Sequence, residues 1–415
     1  METVELVLHG LTHGGEAVGR LPNGKACFVP FAIPGERVTV EVVEERKRWA
    51  RARLVEVVEA SPDRVKPPCP YFGPGQCGGC RLQHVAVDRQ AAMLARVVTE
   101  QLERIGHLKD PPVTETVRPH GPDGLAYRNR ARFAVDEDGR LAFRRFASHD
   151  LIGIDHCRLL TPATQQVRAE AGDDWGGARE VVVRTGTDGA GLMEIEPGPG
   201  GLPPLPEGDT AVAVIDALGK AVALRGDPST RHDTPVGALE ASANAFFQTS
   251  DAGAAALVEL VQDAAAVRPG ERALDLYAGV GLFSAALASD GAQVVAVERG
   301  RAAADDARSN LAELDVEVRQ SEVDDVVAGW NSPVDVIVLD PTREGAGERL
   351  CGALTQLGAR VIVYVACDPA ALARDARALC GNGYRLDRAV PVDLFTHTAH
   401  VETVATFRPL IGDVG

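Results

Sequence analysis

The sequence predicts a multidomain α/β protein with three parts: an OB-like β-barrel over residues 1–60, a central β-rich domain over residues 61–235, and a Rossmann-like domain over residues 236–415. Three observations support this division. The chain has 415 residues, which is longer than a usual single domain. Short alternating segments fill its first part, and cysteines and turn residues mark its middle. In its last part, helical segments alternate with continuous apolar runs.

The N-terminal residues 1–60 show the period of two that is typical of half-buried strands. Apolar and polar residues alternate around Leu6 and again around Val40. Gly14-Gly15 and Pro34-Gly35 supply turns between such segments. Short strands at this spacing favour a small barrel of the OB type, a fold that binds oligonucleotides on its open face.

Residues 61–235 combine one helical segment with a β-rich remainder. From residue 88 to residue 106, apolar residues recur at helical spacing, and we expect this helix to pack on the C-terminal domain. The rest is rich in β-branched residues and is interrupted by Gly and Pro loops, so we expect strands joined by turns.

Four cysteines of the central domain are candidate metal ligands. They are Cys69, Cys77, Cys80 and Cys157. The first residues of the chain lack a basic leader before an apolar core, so we expect a cytoplasmic protein, in which disulfides are rare. Four thiolates suit either an iron–sulfur cluster or a structural zinc ion, and the spacing does not choose between them. Unligated cysteines are the third alternative.

The C-terminal residues 236–415 predict a parallel sheet covered by helices. Four apolar runs read as buried strands, namely ALDLY, QVVAVE, VDVIVLD and VIVYVAC. Helical segments separate them, which is the pattern of an α/β fold. In such sheets the ligand site lies beyond the carboxyl ends of the strands.

The end of the first of these strands has the form of an adenosyl-cofactor pocket. Asp275 ends the strand, and Gly279 and Gly281 lie in a turn that leads into a helix, where backbone N–H groups can meet a ligand. Glu298 ends the next strand, where a carboxylate can accept both ribose hydroxyls. A glycine pair alone also fits an ordinary helix start. NAD is disfavoured because Ser284 stands near the third glycine position of its fingerprint.

Three further residues lie after or within predicted strands and carry reactive groups. Asp340 and Cys367 each come directly after a buried strand, and Glu402 lies in a late β segment. A thiol at this edge is placed for nucleophilic work beside a cofactor. The alternatives are an Asp that caps a helix, an inert buried cysteine and a solvent-facing strand carboxylate.

The charge distribution indicates a nucleic-acid partner for the front of the chain. The formal net charge is −16, yet residues 1–160 hold 23 Lys and Arg against 21 Asp and Glu. Their cations cluster in RKRWARAR (46–53), in YRNRARF (127–133) and at Arg144-Arg145. Such a distribution suits a protein that binds nucleic acid with one face, although solvated strand faces are the alternative. No apolar run approaches the roughly 18 residues that a membrane span needs.

Six motifs, taken in order, resemble those of the RNA uracil-5 methyltransferases. They are FFQT, DLYAGVGLFS, VVAVE, VIVLDPTR, VYVACDPAALARD and DLFTHTAHVETVA. The resemblance covers essentially the whole chain, and the front module is similar to the TRAM domain of that family. It implies a class I methyltransferase fold for the C-terminal domain, with S-adenosyl-L-methionine as cofactor.

The resemblance also implies roles for single residues. Cys367 would be the nucleophile that adds to uracil C6, and Glu402 would be the base that removes the C5 proton. The residues that would line the cofactor and target pocket are Gln248, Tyr277, Glu298 and Asp340. Members that carry a cluster show segments similar to CPYFG and CGGCRLQH, which favours a [4Fe–4S] cluster on the four cysteines named above.

The resemblance leaves the RNA substrate to be chosen. We expect 23S rRNA, because the transfer-RNA branch of the family typically lacks a front barrel, and tRNA is the alternative. A non-catalytic RNA-binding or assembly factor is the alternative from another class, and the intact Cys367 and Glu402 are evidence against it.

Overall fold

The structure is a computed structural model and describes residues 3–410. These residues form a closed barrel, a seven-stranded central sheet, a two-stranded hairpin and a seven-stranded C-terminal sheet. Over the same residues, no helix combines the length and the apolar character needed to cross a bilayer.

The barrel is formed by the first five strands. They are β1 (Thr3–Leu11), β2 (Ala17–Arg20), β3 (Ala26–Val29), β4 (Arg37–Glu45) and β5 (Trp49–Glu59). They close in the order β1-β2-β3-β5-β4. Alternate residues such as Leu6, Leu8 and Val40 fill the interior, as the period of two predicts. The predicted small N-terminal barrel is therefore confirmed.

The middle of the chain forms a helix followed by a sheet and a hairpin. The elements are α1 (Val87–Arg104), β6 (Arg130–Val135), β7 (Leu141–Arg144), β8 (Leu151–Gly153), α2 (Pro162–Ala171), β9 (Ala178–Thr185), β10 (Gly191–Pro197), β11 (Ala211–Ile215), β12 (Ala221–Arg225), β13 (Ser229–Thr234) and β14 (Gly237–Ser242). The sheet order is β12-β11-β10-β9-β6-β7-β8, and β13 pairs with β14. Trp175, Phe133 and Met193 are fully buried against this sheet and α2.

The last third of the chain alternates helices and strands. The elements are α3 (Asp251–Ala265), β15 (Arg272–Leu276), α4 (Leu282–Ser289), β16 (Gln293–Glu298), α5 (Arg301–Asn310), β17 (Val316–Gln320), α6 (Val323–Ala328), β18 (Val336–Leu339), α7 (Glu348–Gln356), β19 (Val361–Ala366), α8 (Pro369–Gly381), β20 (Tyr384–Val392) and β21 (Glu402–Pro409). The sheet order is β17-β16-β15-β18-β19-β21-β20, with β21 antiparallel to both of its neighbours. The predicted Rossmann-like sheet is therefore confirmed.

Both faces of the C-terminal sheet are covered by helices. Helices α3 and α4 pack on one face, and α7 and α8 pack on the other together with α1 from the middle of the chain. The segment 113–117 then runs beside the edge strand β20, with bridges from Val113 to Ala389 and from Val117 to Val392. Parts of the chain that precede the C-terminal sheet therefore complete its core and cover its edge.

A buried ion pair ties the barrel to the segment that follows it. The Glu36 side chain has no exposed surface and accepts a hydrogen bond from Arg64 Nη2 at 2.7 Å. The backbone N–H of Ile33 donates to the same carboxylate at 3.0 Å. Burial by itself would raise the pKa of Glu36, but these hydrogen bonds lower that pKa below its ordinary value. The folded barrel therefore holds Glu36 as an anion.

We expect Glu36→Ala to lower the opening free energy of the barrel strands by about 3–5 kcal/mol, because it leaves the Arg64 cation without its buried partner. Hydrogen exchange of β1–β5 measures this free energy. A lowered folded-state pKa means that the stabilisation is present above the unfolded pKa and is lost as the pH falls through the folded one. Glu59→Ala, which removes an exposed partner of Arg37, is the control and should leave exchange unchanged. Equal exchange in the two variants would contradict the stabilising role of the Glu36–Arg64 ion pair.

Candidate active site and cysteine cavity

The carboxyl edge of the C-terminal sheet brings together four of the residues predicted from the sequence. Strands β15, β18 and β19 are parallel neighbours, and Tyr277, Asp340 and Cys367 come directly after them. Strand β21 runs the opposite way, and its Thr403 lies opposite Ala366. Continuing that register by one residue places Glu402 opposite Cys367. Cleft residues at such an edge are the usual ligand contacts of α/β sheets.

The turn between β15 and α4 has the backbone shape that requires glycine. Gly279 and Gly281 have φ of +57° and +98°, and Tyr277 has a left-handed φ of +66°. A Cβ on Gly281 would lie 2.7 Å from Leu311 Cδ1. Gly281 therefore permits both the left-handed backbone and the close approach of Leu311. The turn exposes the first N–H groups of α4 toward the edge of the sheet.

Glu298 is fixed by the same turn. Its Oε2 accepts a hydrogen bond from the backbone N–H of Gly279 at 3.0 Å, and its Oε1 accepts one from Gly300 at 2.5 Å. The carboxylate therefore stands at the end of β16 in a defined orientation. It retains lone pairs for further donors, as ribose recognition requires.

Asp275 lies beneath the turn. The residue is fully buried, and Ser284 donates its hydroxyl to Asp275 Oδ2 at 2.6 Å. The other carboxyl oxygen has no hydrogen-bond partner among residues 3–410. Burial raises the pKa of Asp275 to about 7. Ser284, which sequence reasoning treated as a missing glycine, thus links the start of α4 to the end of β15.

The thiol and the carboxyl groups form one electrostatic cluster. Burial, followed by the charges of Glu402 and Asp340, raises the pKa of Cys367 to about 12, and the Arg343 cation opposes this rise. Burial and the charge of Asp340 raise the pKa of Glu402 well above its usual range. Burial and the charge of Asp275 raise the pKa of Asp340 in turn. Glu402 Oε1 has no hydrogen-bond partner among the described residues and is available to a ligand.

The segment DPTR belongs to one of the six sequence motifs, but no role was predicted for its Arg343. Asp375 accepts hydrogen bonds from the Tyr364 hydroxyl at 2.6 Å and from the backbone N–H groups of Ala346 at 2.7 Å and Gly347 at 3.2 Å. Tyr364 lies in β19 and Asp375 in α8, on either side of Cys367. The elements that carry the thiol thus also hold the Arg343 loop. The signal was the sequence DPTREGAG, whose Gly345 permits the close approach to Asp375.

Asp368 follows Cys367 directly in the sequence, but its carboxylate caps a helix. Its carboxylate accepts a hydrogen bond from Ala371 N at 2.7 Å and forms the N-cap of α8. The nearby negative charges that act on Cys367 come instead from Glu402 and Asp340 across the sheet edge. A helix N-terminus attracts such a carboxylate because its first N–H groups lack partners.

Gln248 lies in the segment between β14 and α3. It is 9% exposed, while the neighbouring Phe247 is buried and stacks on His232 with ring centroids 4.1 Å apart. Phe246 points outward and is 54% exposed. The carbonyl of Thr249 accepts a hydrogen bond from Asn129 N at 3.0 Å, which joins this segment to the central sheet.

The four cysteines predicted as ligands line one cavity of about 330 Å³. All four are free thiols. Gln83 Nε2 donates to Cys80 Sγ at 3.1 Å, and Gly79 N donates to Cys77 Sγ at 3.4 Å. Arg128 also lines the cavity. Within residues 3–410, however, no three His, Cys, Asp or Glu side chains lie close enough to form a metal-ion site.

Burial in this cavity works against free thiolates. It raises the pKa of Cys80 to about 12, and the pKa values of Cys77 and Cys157 also rise. Hydrogen bonds and the charge of Arg128 oppose this effect. The cavity thus holds three thiols whose ionisation burial opposes, and hydrogen-bond donors are directed at two of them, Cys77 and Cys80.

Two family models match the chain. The TRAM domain matches residues 1–55, which contain most of the barrel, and the methyltransferase small domain matches residues 239–352. The second match includes the glycine turn, Glu298 and Asp340.

Relatives match over nearly the whole length. An RNA methyltransferase of Streptomyces avermitilis is 39% identical over 98% of this chain and 98% of its own. The 23S rRNA (uracil(1939)-C(5))-methyltransferase RlmD of Halomonas elongata is 35% identical over 96% of this chain and 88% of its own. Among solved structures, the Pyrococcus abyssi tRNA (uracil-54, C5)-methyltransferase with S-adenosyl-L-homocysteine is 27% identical, with a TM-score of 0.75 over 97% of this chain and 100% of that one.

We expect Gly281→Ala to weaken the binding of S-adenosyl-L-homocysteine about tenfold or more. A Cβ at this left-handed position costs roughly 1–2 kcal/mol, and the contact with Leu311 adds to that cost. Isothermal titration calorimetry measures the affinity. Gly352→Ala within α7 is the control, because its Cβ meets nothing closer than 4.0 Å. Unchanged affinity in a folded Gly281→Ala variant would show that the ligand binds elsewhere.

Proposed function

The chain belongs to the RNA uracil-5 methyltransferase family, and we propose that it methylates C5 of a uridine in 23S rRNA through a covalent adduct with Cys367. It is an S-adenosyl-L-methionine-dependent RNA methyltransferase. The observation that carries the finer proposal is the meeting of Cys367, Glu402 and the glycine turn at one edge of the C-terminal sheet.

The residues of the turn would hold the cofactor. The N–H groups after Gly281 would face its carboxylate, Glu298 would accept from its ribose, and Tyr277 and Asp340 would line its remaining sides. Asp275 would act from below by fixing the turn through Ser284. The bound cofactor supplies an electrophilic methyl group on a sulfonium.

Cys367 would make the pyrimidine reactive. Uracil C5 is a poor carbon nucleophile, and a bond from Cys367 Sγ to C6 turns the ring into an enolate whose C5 can accept the methyl group. Arg343 would favour the thiolate that this step needs, since its charge lowers the pKa of Cys367. The target base has to leave its stack to reach the thiol.

Glu402 would complete the reaction as a base. It takes the proton from C5, the electron pair re-forms the C5–C6 double bond, and Sγ leaves C6. Burial and the charge of Asp340 raise the pKa of Glu402, so its carboxylate, once ionised, is a stronger base for the C5 proton than an ordinary glutamate.

Sequence similarity supports 23S rRNA as the substrate. The presence of the barrel does not discriminate between 23S rRNA and tRNA. Relatives named as 23S rRNA enzymes match nearly the whole chain. The tRNA enzyme of Pyrococcus abyssi, however, aligns with 97% of this chain, so its alignment includes the barrel. The expectation that the tRNA branch typically lacks a front barrel is therefore weakened, and tRNA stays the second candidate.

The cysteine cavity supports a [4Fe–4S] cluster as a resident group. Its volume of about 330 Å³ is far larger than a single ion needs, and four thiols from distant parts of the chain line it. Cys69, Cys77, Cys80 and Cys157 would each bind one iron. Coordination would hold all four as thiolates, although burial raises the pKa values of Cys77, Cys80 and Cys157.

The methyl-transfer reaction is tested with labelled S-adenosyl-L-methionine and purified RNAs. We expect the wild-type protein to label 23S rRNA, and Cys367→Ser to lose the activity by several orders of magnitude, because a hydroxyl is a far weaker nucleophile than a thiolate. Cys380→Ser, a half-buried cysteine at the end of α8, is the matched control and should stay active. Label in tRNA alone would overturn the ribosomal assignment, and full turnover by Cys367→Ser would overturn the covalent route.

The cluster is tested by metal analysis of protein purified without oxygen. We expect the wild type to contain iron and sulfide and to be brown, and Cys80→Ser to lose the colour and most of the iron, because one ligand is missing. Cys27→Ser, in the barrel core, serves as the control and should keep both. Zinc without iron in the wild-type protein would refute the cluster.

A further inference from the structure

A second cavity of about 420 Å³ forms a groove on the central sheet, outside the candidate active site. The residues that carry its charge are Arg81, Arg132, Arg144, Arg145 and Glu180. Four cations and one anion therefore face the same space, although the whole chain has a net charge of −16. The Arg144-Arg145 pair belongs to the basic clusters of the front half, and the proposed chemistry gives it no role.

Two of these arginines are held in place by contacts that do not neutralise them, and a third is exposed. Arg81 stacks on the Phe146 ring with its Cζ 4.1 Å from the ring centroid. Arg145 Nη1 donates to the carbonyl of Gly75 at 2.5 Å. Arg144 is exposed, and within residues 3–410 it forms no ion pair. Arg81 and Arg145 are thus ordered, and Arg144 is accessible, for an anion that comes from outside.

The fourth arginine is restrained by the single carboxylate of the groove. Arg132 Nη1 lies 2.7 Å from Glu180 Oε2 and 3.9 Å from Glu196 Oε2. Both partners of the shorter pair are partly exposed, so the pair is weak and can exchange. Glu180 therefore subtracts from the positive potential of the groove.

One wall of the groove is the loop that carries two of the cysteines. Gly78 N donates to the Arg144 carbonyl at 2.9 Å, and Cys77 forms a bridge with Arg145. A Cβ on Gly78 would meet backbone atoms of residues 144–146 at 3.1–3.2 Å. The backbone of the loop and the backbone of residues 144–146 are therefore in contact, with no side chain of Gly78 between them. Gly79 lines both the groove and the cysteine cavity. The loop thus separates the groove from the cysteine cavity.

The same loop leads from the groove to the candidate active site. Arg81 N and Leu82 N both donate to the His397 carbonyl at 2.9 Å, five residues before Glu402. A Cβ on Gly15 of the barrel would lie 2.9 Å from Ala399 Cβ and 3.0 Å from Arg81 Cβ. The barrel, the groove loop and the segment before Glu402 therefore meet at one point.

We propose that this groove binds phosphodiester groups of the substrate RNA and holds the strand that leads to the flipped uridine. Guanidinium groups bind phosphates through paired N–H donors, and phosphate contacts set the register of a nucleic acid on a protein. One loop joins the groove to the segment before Glu402, and the groove carries the opposite charge to the bulk of the protein. This inference rests on the proposed function, since it takes RNA as the partner.

The groove is tested by RNA affinity at several salt concentrations, using fluorescence anisotropy with a 23S rRNA transcript and the full-length protein. Arg144→Gln should weaken binding about tenfold or more and lower the slope of log affinity against log salt by about 1, because one phosphate contact is lost. Glu180→Gln should strengthen binding, because it removes the one anion and releases Arg132. Arg349→Gln, an exposed arginine on α7, should change neither quantity.

Binding of S-adenosyl-L-homocysteine is measured for every variant and should stay unchanged, which separates lost phosphate contacts from lost folding. Opposite effects of Arg144→Gln and Glu180→Gln support the groove. Unchanged RNA affinity in Arg144→Gln, or a weaker affinity with an unaltered salt slope, overturns it. Methyl transfer by the wild type is followed on the same transcript. Absent transfer with intact binding counts against the proposed function, whereas transfer with an unaltered Arg144→Gln affinity counts against the groove.

Discussion

The antiparallel pairing of β21 with β19 is the constraint on which the candidate active site depends. Strand β19 ends at the thiol and β21 begins at the carboxylate, so the register Ala366 to Thr403 decides that both reach the same edge of the sheet. A slip of one residue would turn Glu402 to the opposite face of the sheet, because side chains alternate with a period of two. The buried flanks of both strands fix this register. The pairing of β19 with β21 therefore determines both the packing of the core and the position of the thiol relative to the carboxyl group.

Assembling the site has an energetic cost, which appears as buried carboxyl groups and as unfavourable backbone conformations. Asp275, Asp340 and Glu402 are withdrawn from water, and burial raises their pKa values. Tyr277 and His397 adopt left-handed φ values that side chains disfavour. Both features lie at the sheet edge, where the surrounding core overdetermines the conformation. Part of the backbone strain and the desolvation of these three carboxyl groups thus fall at the candidate site.

Much of this arrangement could be predicted from the sequence, because the ends of parallel strands meet at one edge whatever the loops do. Asp340 and Cys367 were found in this way. Contacts between distant loops could not be predicted: Asp375 and Tyr364 are recognisable as anchors of the Arg343 loop only once α8 is packed. The gathering of four cysteines across 76 intervening residues came from family resemblance, since spacing carries no tertiary information.

The strap formed by residues 113–117 has a consequence for dissection of the molecule. It occupies the hydrogen-bonding side of β20, which would otherwise be an open sheet edge, and α1 covers an apolar face nearby. Open edges and bare apolar faces promote self-association. A fragment that begins at α3 would therefore aggregate rather than behave as a minimal enzyme. Any shortened version has to retain the chain from α1 onward.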